Sequence, residues 1–152
     1  MSELKQRLHA DLTAAMRARD ELRTATLRMV LSAVQTEEVA GKAARELSDD
    51  EVSAVLTREG KKRRESAEAF EGAGRAELAA RERAEGEVIA GYLPKQLEDT
   101  ELTEIVSAAL AEAGLASGGM AQMGAAMKAA NAKVAGRAEG GRVAAIVRQQ
   151  LG

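Results

Sequence analysis

The sequence contains no cysteine and no tryptophan, and among 152 residues only one proline, one tyrosine, one phenylalanine and one histidine. Each scarcity removes a class of chemistry. Without cysteine there are no disulfides, no thiolate nucleophiles and no thiolate metal sites. With aromatics at 1%, a core has to be assembled from Leu, Val, Ile, Met and many Ala. That composition favours close-packed helices over a sheet. The same scarcity argues against single-strand nucleic-acid recognition, which stacks bases on aromatic rings. The lone histidine, His9, lies in a charged N-terminal stretch with no evident partner, and reads as a surface residue rather than a general base. No apolar run approaches the roughly 20 residues that span a bilayer. The opening Met1-Ser2-Glu3-Leu4-Lys5 leads straight into an amphipathic pattern with no signal-peptide core. The expectation is a cytoplasmic protein without membrane contact.

What is present is helical periodicity. Leu4, Leu8, Leu12, Ala15 and Met16 share a face of a first helix over about Ser2–Arg19. Asp20 is placed to cap a second, whose stripe is Leu27, Val30, Leu31 and Val34 and whose end is expected near Gly41. Ser48-Asp49-Asp50-Glu51 is a capping box. It opens a long helix through Val52, Val55, Leu56 and a charged stretch to Phe70, broken by Gly72 and Gly74. A further helix runs from Arg75 to about Gly91. The only proline then follows in Tyr92-Leu93-Pro94-Lys95-Gln96-Leu97. Proline lacks an amide hydrogen and turns its predecessor away from helix. Tyr92, Leu93, Pro94 and Leu97 are therefore read as a structured joint, with an apolar side suited to wedging between two packed bodies. Beyond it, Asp99 or Thr100 is expected to cap a helix that Gly114 ends. Met120, Met123, Met127, Ala130 and Val134 mark the next, Gly136 to Gly141 a turn, and Val143, Ile146, Val147 and Leu151 the last. The predicted fold is all-α: an N-terminal bundle of longer helices over 1–94 and a small three-helix bundle over 95–152.

Self-contained chemistry is hard to find in this pattern. Ser117-Gly118-Gly119 is a loop without a serine-centred elbow. Gly136-Arg137-Ala138-Glu139-Gly140-Gly141 follows no strand and lacks the lysine of a phosphate-binding loop. Asp49, Asp50 and Glu51 are explained by capping. No catalytic residue, metal ligand or cofactor is nominated. The basic run Arg58, Lys61, Lys62, Arg63 and Arg64 is interleaved with Glu59, Glu65 and Glu68, and reads as a salt-bridged, solvated helix. The overall charge is −2. From Met120 to Gly152, however, Lys128, Lys133, Arg137, Arg142 and Arg148 face only Glu139, an excess of four positive charges. Such a module suits phosphates, and with so few aromatics it suits a folded RNA read by shape. An ordinary charged surface is the competing reading, and Arg137 has the alternative of binding helix-end carbonyls.

The Tyr92–Leu97 motif, the upstream Lys62-Arg63-Arg64-Glu65-Ser66 with Phe70, and the late Met123-Gly124-Ala125-Ala126-Met127 and Gly136-Arg137-Ala138-Glu139-Gly140 together resemble the YqeY proteins, in order and over essentially the whole chain. That family is similar to the helical tail of the GatB subunit of glutamine-dependent tRNA amidotransferases. The resemblance implies two helical subdomains and a tRNA-binding accessory role tied to a carbon–nitrogen ligase system. The partner would be tRNA or an amidotransferase-like complex, and not DNA. Lys128, Lys133, Arg137 and Arg142 would then contact phosphates, and Gly124 would allow close helix packing. The alternative is a non-catalytic protein-interaction module without RNA affinity. Two departures stand out. Glu139 replaces the usual aspartate of the turn, and Glu98 replaces a capping serine, leaving that task to Asp99 or Thr100.

Overall fold

The computed structural model describes residues 2–152, so Met1 lies outside the described residues. Among these, seven α-helices and one short 3-10 turn carry the regular structure, and no strand is present. The all-α expectation holds. The chain divides between Leu93 and Pro94 into two compact units, each with its own apolar core.

The first unit contains α1 (Glu3–Arg17), α2 (Glu21–Glu38), α3 (Asp49–Gly72) and α4 (Ala76–Ala90). Leu8 of α1, Leu27, Val30 and Val34 of α2, and Val52, Val55 and Leu56 of α3 meet Ile89 and Tyr92 at the end of α4. Helix ends are settled largely by local side chains. Asp20 accepts the Arg23 amide at 3.1 Å, and Ser48 and Glu51 form the complete capping box expected from their spacing. Asp49, the first residue of α3, reaches across to accept the Leu4 amide at 3.1 Å. One helix start thus caps another.

The end of α2 differs from expectation. The helix stops at Glu38 rather than near Gly41, whose backbone does not take the left-handed conformation. Glu38 turns inward, where its carboxylate accepts Lys5 Nζ at 2.8 and 2.9 Å and the Leu47 amide at 3.4 Å. Its own carbonyl accepts the Arg45 amide at 3.0 Å. These bonds hold the 39–48 connection against the bundle in place of a glycine cap.

Helices α3 and α4 run antiparallel, with Gly60 beside Ile89 and Gly86 beside Arg63. Beyond Arg63 the hairpin leaves the main core. Ala67 and Ala79 are its buried apolar residues there, and Phe70 is only half-buried. Ions replace apolar burial: Arg63 lies 3.2 Å from Glu82 and 3.6 Å from Glu85, and Arg81 pairs with Glu85 at 3.0 Å and Glu21 at 2.7 Å. The basic run is indeed salt-bridged, with Arg58 at 3.5 Å from Glu37 and Lys62 at 3.2 Å from Glu59.

The second unit contains α5 (Asp99–Glu112), the 3-10 turn Met120–Gln122, α6 (Met123–Val134) and α7 (Gly140–Leu151). Leu97, Leu102, Val106, Leu110, Ala126, Ala130, Val134, Val143, Val147 and Leu151 form its core. Four expectations need correction here. Neither Asp99 nor Thr100 caps α5; the cap position is Glu98, which makes no side-chain cap bond, and Asp99 lies inside the helix with its carboxylate on Arg142. Met120 stands outside the core at 52% exposure because the 3-10 turn breaks the helical phase before Met123. Gly124 faces open space, so its missing side chain serves no close packing. Gly140 and Gly141 belong to the first turn of α7, and the connection from α6 is made instead by Ala135 (φ 51) and Gly136 (φ 78).

The connection before α3 titrates in a predictable direction. The hydrogen bond from Arg45 holds Glu51 down at about 2, against a usual 4.5. Ser2 and the Leu4 amide lower Asp49, and Lys5 lowers Glu38. Carboxyls depressed by folding contribute stability that is complete above their unfolded values and is lost as pH falls through the folded ones. Thermal melts should therefore decline in midpoint between about pH 4.5 and 2, and Glu38→Gln with Glu51→Gln should flatten that decline.

Candidate nucleic-acid interface

The proline-containing segment is shared between the two cores. Tyr92 is 9% exposed and belongs to the first, with Leu93 packed at its edge. The Tyr92 hydroxyl donates to Asp11 Oδ2 at 2.5 Å and accepts from Arg23 at 3.4 Å, while the Arg7 guanidinium stacks 4.6 Å from the ring centroid. Burial, and then the bond to Asp11, push the phenol up to about 12. This aromatic ties the end of α4 to α1 and α2 by polar and apolar contacts at once.

Leu97 belongs to the second core. Its amide donates to the Arg137 carbonyl at 2.7 Å, and its carbonyl accepts from Arg142 Nη2 at 2.8 Å. Gln96 donates to the Pro94 carbonyl at 3.1 Å and to the Gly136 carbonyl at 3.4 Å. The stretch from Pro94 to Leu97 is thus pinned onto the connection between α6 and α7.

That pinning uses two of the four cations nominated for phosphate. Arg137 folds back along α6, with Nε on the Val134 carbonyl at 2.9 Å and Nη2 on the Lys133 carbonyl at 2.8 Å. The last carbonyls of a helix lack intrahelical partners and carry partial negative charge, so a forked guanidinium suits them well. Arg142 spans the Leu97 carbonyl and Asp99, each at 2.8 Å. Both arginines are positioning residues within the second unit. Lys133 lies 3.5 Å from Glu112, in an exposed pair of little energetic weight. Lys128 is exposed without a recorded ion pair among the described residues, and so is Arg148, which was not among the four. Lys128 and Lys133 are five residues apart, about 140° around the helix axis, so they do not present one face.

Sequence reading could not pair Tyr92 with Asp11 or Arg142 with Asp99. Asp11 precedes Tyr92 by 81 positions and Asp99 precedes Arg142 by 43; only the folded chain brings either pair together. Among the described residues, no group of three or more His, Asp or Glu side chains is arranged to hold a metal ion. None of their helices is long and apolar enough to cross a membrane.

The fold and its motifs define an all-helical protein of two small units joined at a single proline. The family model described as Yqey-like protein matches residues 5–151, and the chain belongs to that family. The comparison with curated proteins gave no match.

Two substitutions separate structural from electrostatic roles. Tyr92→Phe keeps the packing and removes the bond to a carboxylate, and should cost about 1–2 kcal/mol in denaturant unfolding of the first unit. Arg142→Lys keeps the charge but ends one bond short of the Nη2 atom that donates to both Leu97 and Asp99. It should destabilise the second unit by about 1–3 kcal/mol and speed hydrogen exchange at the Leu97 amide.

Proposed function

We propose that the chain is a tRNA-binding accessory module serving an amidotransferase-like, carbon–nitrogen ligase system. The observation that carries this reading is the segregation of charge in the second unit. Five of its six acids, Glu98, Asp99, Glu101, Glu104 and Glu112, lie in and just before α5, while five of its six cations, Lys128, Lys133, Arg137, Arg142 and Arg148, lie with Glu139 on α6, α7 and the turn between them. A unit without net charge of its own therefore keeps two cations without an ion-pair partner among the described residues, Lys128 and Arg148, on α6 and α7. With its single tyrosine buried and its single phenylalanine half-buried, the protein offers bases little to stack on beyond the exposed imidazole of His9 in the first unit. Contacts to the backbone of a folded RNA are the mode that fits, and the family resemblance to the GatB tail makes tRNA the class of RNA. Lys128, Lys133 and Arg148 would touch phosphates directly. Arg137 and Arg142 would add field without leaving their main-chain partners.

Binding of the full chain to bulk tRNA, with duplex DNA as competitor, tests this. Three phosphate contacts should weaken binding on the order of 20–40-fold between 50 and 200 mM salt. Lys128→Glu with Arg148→Glu should remove most of the affinity while leaving the thermal midpoint unchanged. Absence of tRNA binding at low salt would overturn the reading and favour a protein-interaction module.

A further inference from the structure

Helices α3 and α4 extend well past the core of the first unit. Residues 61–72 of α3 and 76–85 of α4 lie beyond Gly60 and Gly86, about 18 and 15 Å of helix. The buried residues of this outer hairpin are two alanines, Ala67 and Ala79. Helix α4 starts there without a side-chain cap. Arg81 ties the hairpin to Glu21 of α2 at 2.7 Å, but the Glu21 side chain is 74% exposed. An ion pair so open to water holds little.

Two glycines mark the root of the hairpin, both in the seam between the helices. Neither Gly60 nor Gly86 has a left-handed backbone, so conformation does not demand glycine at either position. Space does not demand it either. A Cβ on Gly60 would lie 3.6 Å from Ile89 Cγ2, and one on Gly86 would lie 3.7 Å from Arg63 Cβ, both ordinary contact distances. Alanine would fit and add packing, whereas glycine inside a helix is about four- to fivefold less favourable. At this same level apolar burial gives way to Arg63 with Glu82 and Glu85. Arg63 Nε and Glu82 Oε2 are buried there without a hydrogen-bond partner. Weak propensity, thin packing and an incompletely satisfied ion pair thus coincide across one section of the hairpin.

We infer that residues 60–86 open as one cooperative unit while the core of the first unit stays folded, with Gly60 and Gly86 as the root. Leu8, Leu27, Val30, Val34, Leu56, Ile89 and Tyr92 all lie outside the opening segment, so their mutual burial survives it. The inference does not depend on the RNA reading.

The test is residue-resolved hydrogen exchange of the full chain at several low denaturant concentrations. Amides of residues 65–72 and 80–85 should share one opening equilibrium, about tenfold or more further open than that of residues 27–34. Their denaturant slope should be shallower, because less surface is exposed. Gly60→Ala with Gly86→Ala should slow exchange across the hairpin about tenfold or more. Ala33→Gly, on α2 against the core, should speed exchange of residues 27–34 about fourfold and leave the hairpin unchanged. A single free energy and slope shared by hairpin and core would overturn the inference. So would hairpin exchange that follows Ala33→Gly, or that ignores the double alanine substitution.

Discussion

A helix leaves its first amides and last carbonyls without partners, and a chain made almost entirely of short helices meets that demand again and again. In this protein the demand decides where many polar side chains go. Asp20 and Ser48 cap their own helices, and Asp49 caps α1 from the start of α3. At the carboxyl ends the same six-to-one and five-to-two backbone bonds recur. Arg75 and Gly74 close α3 onto Phe70 and Glu71, and Leu115 and Gly114 close α5 onto Leu110 and Ala111. Helix α1 closes in the same way with Arg19, not glycine, in the left-handed conformation at φ 56. Arg137 completes the set by folding its guanidinium onto the end of α6.

The scarcity of large side chains sets the second condition. The first core has one aromatic ring, and that ring is anchored through its hydroxyl as well as its face. Where the α3–α4 hairpin extends past that core, only alanines remain to be buried, and the helices are held by Arg63 between Glu82 and Glu85. The Arg63 Nε and one Glu82 oxygen are buried without a good hydrogen bond. An ion pair partly removed from water offsets its own desolvation poorly unless every atom is satisfied. The outer hairpin is therefore the part of the first unit with the least apolar support, which places its opening free energy toward the low end.

These two conditions explain what could be read from the sequence. Local signals were legible: the capping box at Ser48, the cap at Asp20, the glycines after α3 and α5, and the stripes of α2 and α7. Each is decided within a few residues. Signals that depend on distant partners were not. Gly41 looked like a helix end, but Glu38 ends α2 earlier because Lys5 and Leu47 lie where it turns in. Gly124 looked like a packing glycine, yet no neighbouring helix approaches it. Asp99 looked like a cap, and Arg142 claimed its carboxylate. The charge excess of the last 33 residues was visible as a number, but which of those cations remain available depends on main-chain carbonyls that sequence does not locate.

That last point changes how the charge of this protein should be weighed. A guanidinium seated on neutral carbonyls keeps its full charge, so Arg137 still contributes to the field outside the second unit. Two of its five N–H donors are committed, however, and the Nε–Nη2 edge cannot also fork onto a phosphate without giving up the end of α6. Arg142 is more constrained, because releasing it takes a donor from the part-buried Leu97 carbonyl as well as from the exposed Asp99. Lys128 and Arg148 carry no such obligation, and the Lys133–Glu112 pair is exposed and easily exchanged. The arginines nearest the glycine-arginine turn hold the fold while keeping their charge, and Lys128 and Arg148 are the exposed cations of α6 and α7 with no ion pair among the described residues.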